Sequence, residues 1–148
     1  MSTKLARRWR FRVFGLVLTV PPLLYVVPVH RLIGRIGGRR ASYQSPPVDG
    51  LVLQVDDWLS RLPRPWRTTC LKRSAILYAL LRRSGEDVQL HIGVKREADR
   101  TFAAHAWLMK NNEPYLEPPT SAFSTYQVIT VFPEPATPTA APLPTAVP

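Results

Sequence analysis

Between Val13 and Val29 the chain runs seventeen residues without a charge, and arginines lie on both sides. A bilayer-spanning helix needs about 20 apolar residues, and Pro21, Pro22 and Pro28 interrupt this run. Three readings follow, in this order: a helical segment docked on the rest of the protein, a membrane anchor, and a cleaved signal. The last lacks a small-x-small cleavage site. Further on, Leu51, Val52, Val55, Trp58, Leu59 and Leu62 recur at helical spacing, with Asp49 as candidate N-cap and Pro63 as the stop. A second helix starts near Thr69. Its middle, AILYALL, is apolar almost all round, which marks a buried helix. Lys72 and Arg73 gather at its start, Arg82, Arg83 and Ser84 at its end, and Gly85 ends it.

The period then changes to two. Val88, Leu90, Ile92 and Val94 alternate with Gln89, His91, Gly93 and Lys95, which predicts a strand. EADR turns the chain, TFAAHAWLMK is a second strand, NN a second turn, EPYLEP a short third strand and STYQVITVF a fourth. Helices followed by an antiparallel meander predict an α+β domain. The chain divides into a basic, apolar segment (1–40), a linker ASYQSPPVDG (41–50), a folded domain (51–132) and a tail (133–148). The tail holds six prolines in sixteen residues, so it is expected to be disordered.

Charge sharpens this division. The net charge is +10, but residues 1–40 carry nine Lys/Arg and no acid, whereas residues 41–148 carry eleven basic and ten acidic residues. The basicity therefore belongs to the first segment. That argues against a nucleic-acid-binding domain, which would spread basic residues over a folded surface. It leaves room for contact of residues 1–40 with an anionic membrane surface or an acidic partner. A single cysteine excludes an internal disulfide and suits a reducing, cytoplasmic compartment. No His/Cys group has zinc spacing, so no metal is expected.

The one cysteine, Cys70, stands at the predicted start of the buried helix, on the row of Ser74, Leu77 and Leu81 and opposite Lys72 and Arg83. It is either a small core residue or a nucleophile. Unpaired N–H groups at a helix start favour a thiolate and can receive an oxyanion. Three histidines could serve as base. His30 lies in the basic segment, and His91 on the polar face of its strand. His105, in FAAHAW, sits between small alanines that leave room for a helix end or a substrate. It reads equally as a half-buried strand histidine. With a three-residue loop Lys110-Asn111-Asn112, Met109 would pair with Glu113, and His105 would fall opposite Glu117, which could then orient the imidazole. A two-residue loop would put Glu117 on the other face.

These residues together resemble the transglutaminase-like cysteine peptidases of lasso-peptide biosynthesis. The likeness rests on CLKRSAILYALLRRSGEDVQLHIGVKRE and FAAHAWLMKNNEPYLEP, and covers about residues 51–132. The length is similar to the stand-alone form, without a fused leader-recognition domain. The resemblance implies a papain/transglutaminase-like core: a nucleophile helix packed on an antiparallel sheet that carries histidine and acid. It implies removal of a leader peptide from a ribosomally made precursor, without a cofactor. Cys70 matches the nucleophile, His105 the general base, and Glu117 the third position, where the family usually has aspartate. Trp107 matches the Trp after the histidine and would line and shield the substrate site. Implied partners are the precursor's leader, a separate leader-recognition protein and an ATP-dependent cyclase; residues 1–40 are the candidate docking surface, for that protein or for a membrane. This chain has no GxxxxGK[ST] loop of its own. The rival readings are an acyl transferase or amidase on the same core, and a membrane-associated scaffold without activity.

Overall fold

The computed structural model describes residues 3–38, 47–64, 69–117 and 123–134. Within them run four helices: α1 (Thr3–Val26), α2 (Val29–Ile36), α3 (Val48–Arg61) and α4 (Cys70–Arg83). Four strands follow: β1 (Gln89–Arg96), β2 (Phe102–Lys110), β3 (Glu113–Tyr115) and β4 (Gln127–Phe132). The fold is α+β, helices packed on an antiparallel sheet. Residues 41–46 of the expected linker and the tail from 135 onward lie outside the described residues.

The run that is apolar on every side becomes the central helix. Ala75 to Leu81 of α4 are all buried. Such a helix needs cover all round. Val88 and Leu90 at β1, Ala106 and Leu108 of β2 and Phe132 of β4 cover one side, and α1, α2 and α3 the rest. Its ends are built as the sequence predicts. Thr69 caps the start, its hydroxyl accepting from Lys72 N at 3.3 Å. At the far end Gly85 takes φ +90°, and Glu86 N donates to Leu81 O and Gly85 N to Arg82 O. This closing pattern needs a left-handed residue, so glycine belongs there.

Several expectations are corrected. α1 continues through Pro21 and Pro22. The two prolines lack the N–H that would bond one turn back, but Val13, Val17 and Val20, at 0–1% exposed, seat the helix in the core. Only Pro28 separates helices, standing at the start of α2. α3 begins at Val48, inside the expected linker, with Pro47 at the cap position, and Asp49 sits in the first turn instead. The sheet is not a plain meander. Its order is β3-β2-β1-β4, so the last strand returns to pair with β1. β3 has three residues and Leu116 after it turns to φ +60°, whereas β1 offers eight residues along its other side. The longer ladder takes β4.

The core therefore draws on residues 13–33 as fully as on the later elements. Ile33 of α2 is 0% exposed. Ile33→Ala is expected to lower unfolding free energy by about 2–5 kcal/mol, read from urea titrations. A loss under about 0.5 kcal/mol would show that α2 is not part of the cooperative unit.

Candidate active site

Two hydrogen bonds to β2 fix where the start of α4 lies. Ser74, one turn after Cys70, donates its hydroxyl to Ala106 O at 3.0 Å and is buried. Ala106 follows His105. β3 pairs only with Leu108, Met109 and Lys110, so the same side of β2 has no strand partner at Ala106 among the described residues. Backbone groups two residues apart on a strand point to the same side. Accordingly Leu108 N, on that side, donates to Glu117 Oε1 at 3.4 Å. The first turns of α4 and the Glu117 carboxyl thus close the margin of β2 where β3 stops. Cys70, the first residue of α4, is half-buried at this margin.

His105 alternates with Ala106, and so does its surroundings. Ala106 and Leu108 join the core with the helices, while His105 and Trp107 point to the sheet's other face. There the His105 imidazole stacks on the Trp107 indole, with centroids 5.8 Å apart and planes at 17°, and Tyr126 lies 5.4 Å away. Nε2 of His105 is buried. Trp107 is 3% exposed. Its indole reaches across β1 over Gly93, where a Cβ would stand 2.8 Å from the ring and 3.1 Å from Gln127 O. Only glycine allows that crossing. Burial lowers the His105 pKa from the ordinary imidazole value, favouring the neutral ring, the form that can accept a proton. His91, the β1 partner of Trp107, has its ring 5.8 Å from the indole and is lowered by burial as well. Its alternation with Ile92 flags this shared face, but no local pattern signals that the indole bridges the two imidazoles.

The hairpin expected to carry the acid has a different register. Lys110 pairs with Glu113, so the loop is Asn111-Asn112, both at positive φ, 53° and 63°. Asparagine tolerates this left-handed pair, which matches strand twist better than a three-residue loop here. Met109 consequently faces Pro114 rather than Glu113, and the pairing that would set His105 opposite Glu117 is not formed. Glu117 instead lies with its side chain 6% exposed, 3.9 Å from Arg73. Burial raises its pKa, opposed by the Arg73 charge and the Leu108 N–H, while Asp56 adds to the rise.

On the sequence, Arg73 reads only as a polar residue at the helix start. Its guanidinium holds both oxygens of Asp56 on α3, at 2.7 and 3.3 Å, and donates to Leu116 O at 3.2 Å. Lys72 was expected on the outer side of α4. It is buried at 6% exposed, because Tyr25 of α1 covers it: the amine meets the phenol oxygen at 3.3 Å and lies 5.2 Å from the ring centre. On a helical wheel Lys72 lies opposite the inward row, whereas Arg73 is one of the polar residues at the helix start, and the packing of α1 and α3 encloses both. Among the described residues no three His, Cys, Asp or Glu side chains converge as a metal would require.

The profile of the transglutaminase-like superfamily matches residues 16–131 of this sequence. No curated protein and no solved structure matches it.

Two outcomes are expected from this geometry. Arg73→Met and Glu117→Gln should couple in a double-mutant cycle by about 0.5–3 kcal/mol, because removing the cation leaves the carboxyl buried on one N–H. Additive effects would break that link. Folding disfavours protonated His91 and His105, so their share of stability is full above an imidazole's usual pKa and falls as pH drops through the folded values. Urea midpoints should therefore decline from about pH 7 to about pH 5, and less so in His91→Gln/His105→Gln. Glu117, with its raised pKa, acts in the opposite sense, so the comparison is made in a Glu117→Gln background. An unchanged pH slope would refute the burial reading.

Proposed function

Since the chain belongs to the transglutaminase-like superfamily, whose members are typically cysteine hydrolases or transferases, we propose that it is a cysteine peptidase with Cys70 as nucleophile and His105 as general base. We read its substrate as the precursor of a lasso peptide, from which it removes the leader. The observation that carries the reading is the Ser74–Ala106 hydrogen bond, which sets the cysteine end of α4 against the histidine strand. The resemblance in CLKR, LLRRSG and HAW supports the substrate class.

In this mechanism His105 takes the Cys70 proton, and the thiolate attacks the carbonyl at the leader's last residue. The approach runs round the margin of β2, where the thiol and the imidazole come from opposite faces. The Cys70 N–H, in the first turn of α4, is a donor for the oxyanion. His105 returns the proton to the leaving amine of the core peptide. Water then cleaves the thioester, releasing the leader's carboxylate and restoring the thiol. An amine in place of water would make the same thioester a transfer reaction.

Glu117 acts as a positioning residue in this scheme. Its carboxyl ties Leu108, three residues from His105, to Arg73, three residues from Cys70. It thus holds strand and helix tip in one frame. Trp107 keeps the imidazole in plane and shields it from water. A separate leader-recognition protein would deliver the precursor, and an ATP-dependent cyclase would use the freed amine.

The test combines the chain with a candidate precursor, its leader-binding protein and the cyclase. Cys70→Ala and His105→Ala should each lower leader cleavage by about 10³-fold or more while thermal unfolding stays cooperative. Glu117→Gln should retain part of the rate. Iodoacetamide reports on the only thiol, and His105→Ala should slow its alkylation near neutral pH. Undiminished cleavage by folded Cys70→Ala would end the peptidase reading. Cleavage lost only as an acyl acceptor is withdrawn would assign transfer instead.

A further inference from the structure

Independently of the peptidase reading, α1 carries two opposed apolar faces, and only one belongs to the core. Trp9, Val13, Leu16, Val17 and Val20 are buried. Counting 100° per residue, the opposite side of the helix presents Arg7, Phe11, Phe14 and Leu18. Phe11 is 67% exposed and Leu18 42%. Four arginines, Arg7, Arg8, Arg10 and Arg12, stand in the N-terminal part of α1, and Arg7 and Arg10 line this face beside Phe11 and Phe14. No acidic residue occurs anywhere in residues 1–40.

Between α1 and α3 this face holds a depression of about 370 Å³, lined by Arg7, Arg10, Phe11, Phe14 and Trp58. Phe14 meets Trp58 edge-on at 5.1 Å and forms its floor. Guanidinium groups at the rim and rings inside match a phosphate joined to hydrocarbon. The face reads poorly as a peptide site, because it has few groups to pair with a peptide backbone. The hydroxyl of Thr19 is already taken by Gly15 O at 2.7 Å. Packing also opposes spanning. The stretch Arg7–Val26 is long enough, but a third of it is buried inside the protein, and crossing a bilayer would pull Val13, Val17 and Val20 out of the core.

We propose that α1 lies flat on an anionic bilayer, with Phe11, Phe14 and Leu18 in the acyl boundary and Arg7 and Arg10 on lipid phosphates. Apolar contact and charge act together, as in-plane helices require. The protein's site would then work at a membrane surface, with the sheet on the side of the helix layer away from it.

The experiment is flotation of the full chain with vesicles of phosphatidylcholine alone and of phosphatidylcholine with phosphatidylglycerol. Binding is expected only to the anionic vesicles, and to be lost at about 1 M salt, where screening reaches about 3 Å. Phe11→Ser/Leu18→Ser and Arg7→Gln/Arg10→Gln should each lower the bound fraction about tenfold or more, with thermal unfolding unchanged. Should a variant fail to fold, the unaltered chain still decides: brominated lipid should quench tryptophan fluorescence, and the quenching should disappear in Trp58→Phe. No anionic binding, equal binding to neutral vesicles, or binding indifferent to the Phe11/Leu18 change would overturn the proposal. Displacement from vesicles by poly-glutamate at low stoichiometry would assign the face to an acidic protein partner instead.

Discussion

A helix that is apolar on every side cannot rest on a single surface, and α4 is such a helix. Its seven central residues, Ala75 to Leu81, are buried together, so the chain must supply cover in all directions. The sheet covers one side and α1, α2 and α3 the others. This requirement draws the basic N-terminal segment into the domain. Without α1 and α2, Tyr78 and its neighbours would face water, which favours burial by roughly 25 cal/mol per Å² of apolar surface. The same requirement fixes the axis of α4, and therefore where its first residue, Cys70, emerges.

Burial sets the axis, and a few polar bonds set the tip. Ser74 takes the Ala106 carbonyl, Thr69 caps the first turn, and Arg73 joins α3, α4 and the chain after β3 through Asp56, Leu116 and Glu117. Enclosed polar groups are destabilising unless satisfied. Ser74 and Arg73 have their partners on other elements, so those bonds specify one arrangement rather than merely adding stability. The result is a helix start locked to the margin of β2, the strand that carries His105 on its other face. Positioned groups react without first losing the freedom of their surroundings.

The two faces of the sheet have different work. One is the core. The other carries Trp107, His105, His91 and Tyr126, with Gly93 left bare so that the indole can cross β1. This aromatic wall encloses the imidazole, and burial lowers its pKa. The helices likewise have an inner and an outer side, and the outer side of α1 is where apolar and cationic surface meet. A site at one end of α4 and a docking surface along α1 would divide chemistry from location within a single small domain.

Periodicity alone determined the element types. The all-round apolar run at 75–81, the alternation from Val88 to Val94, Thr69 and Gly85 as helix ends and the helix-then-strand order are local properties, and local spacing encodes them. The singular Cys70 and the alanines around His105 were legible for the same reason. What the tertiary structure decided is what depends on partners distant in sequence. The loop Asn111-Asn112 set the hairpin register, and with it the surroundings of Glu117. β4 chose β1 over the short β3. Pro21 and Pro22 stayed helical because the valines beside them are buried. Lys72 and Arg73 became enclosed because α1 and α3 lie over them. A helical wheel or a strand pattern states which way a side chain points, but the identity of what it meets is a property of packing, where the energies of several elements are satisfied at once.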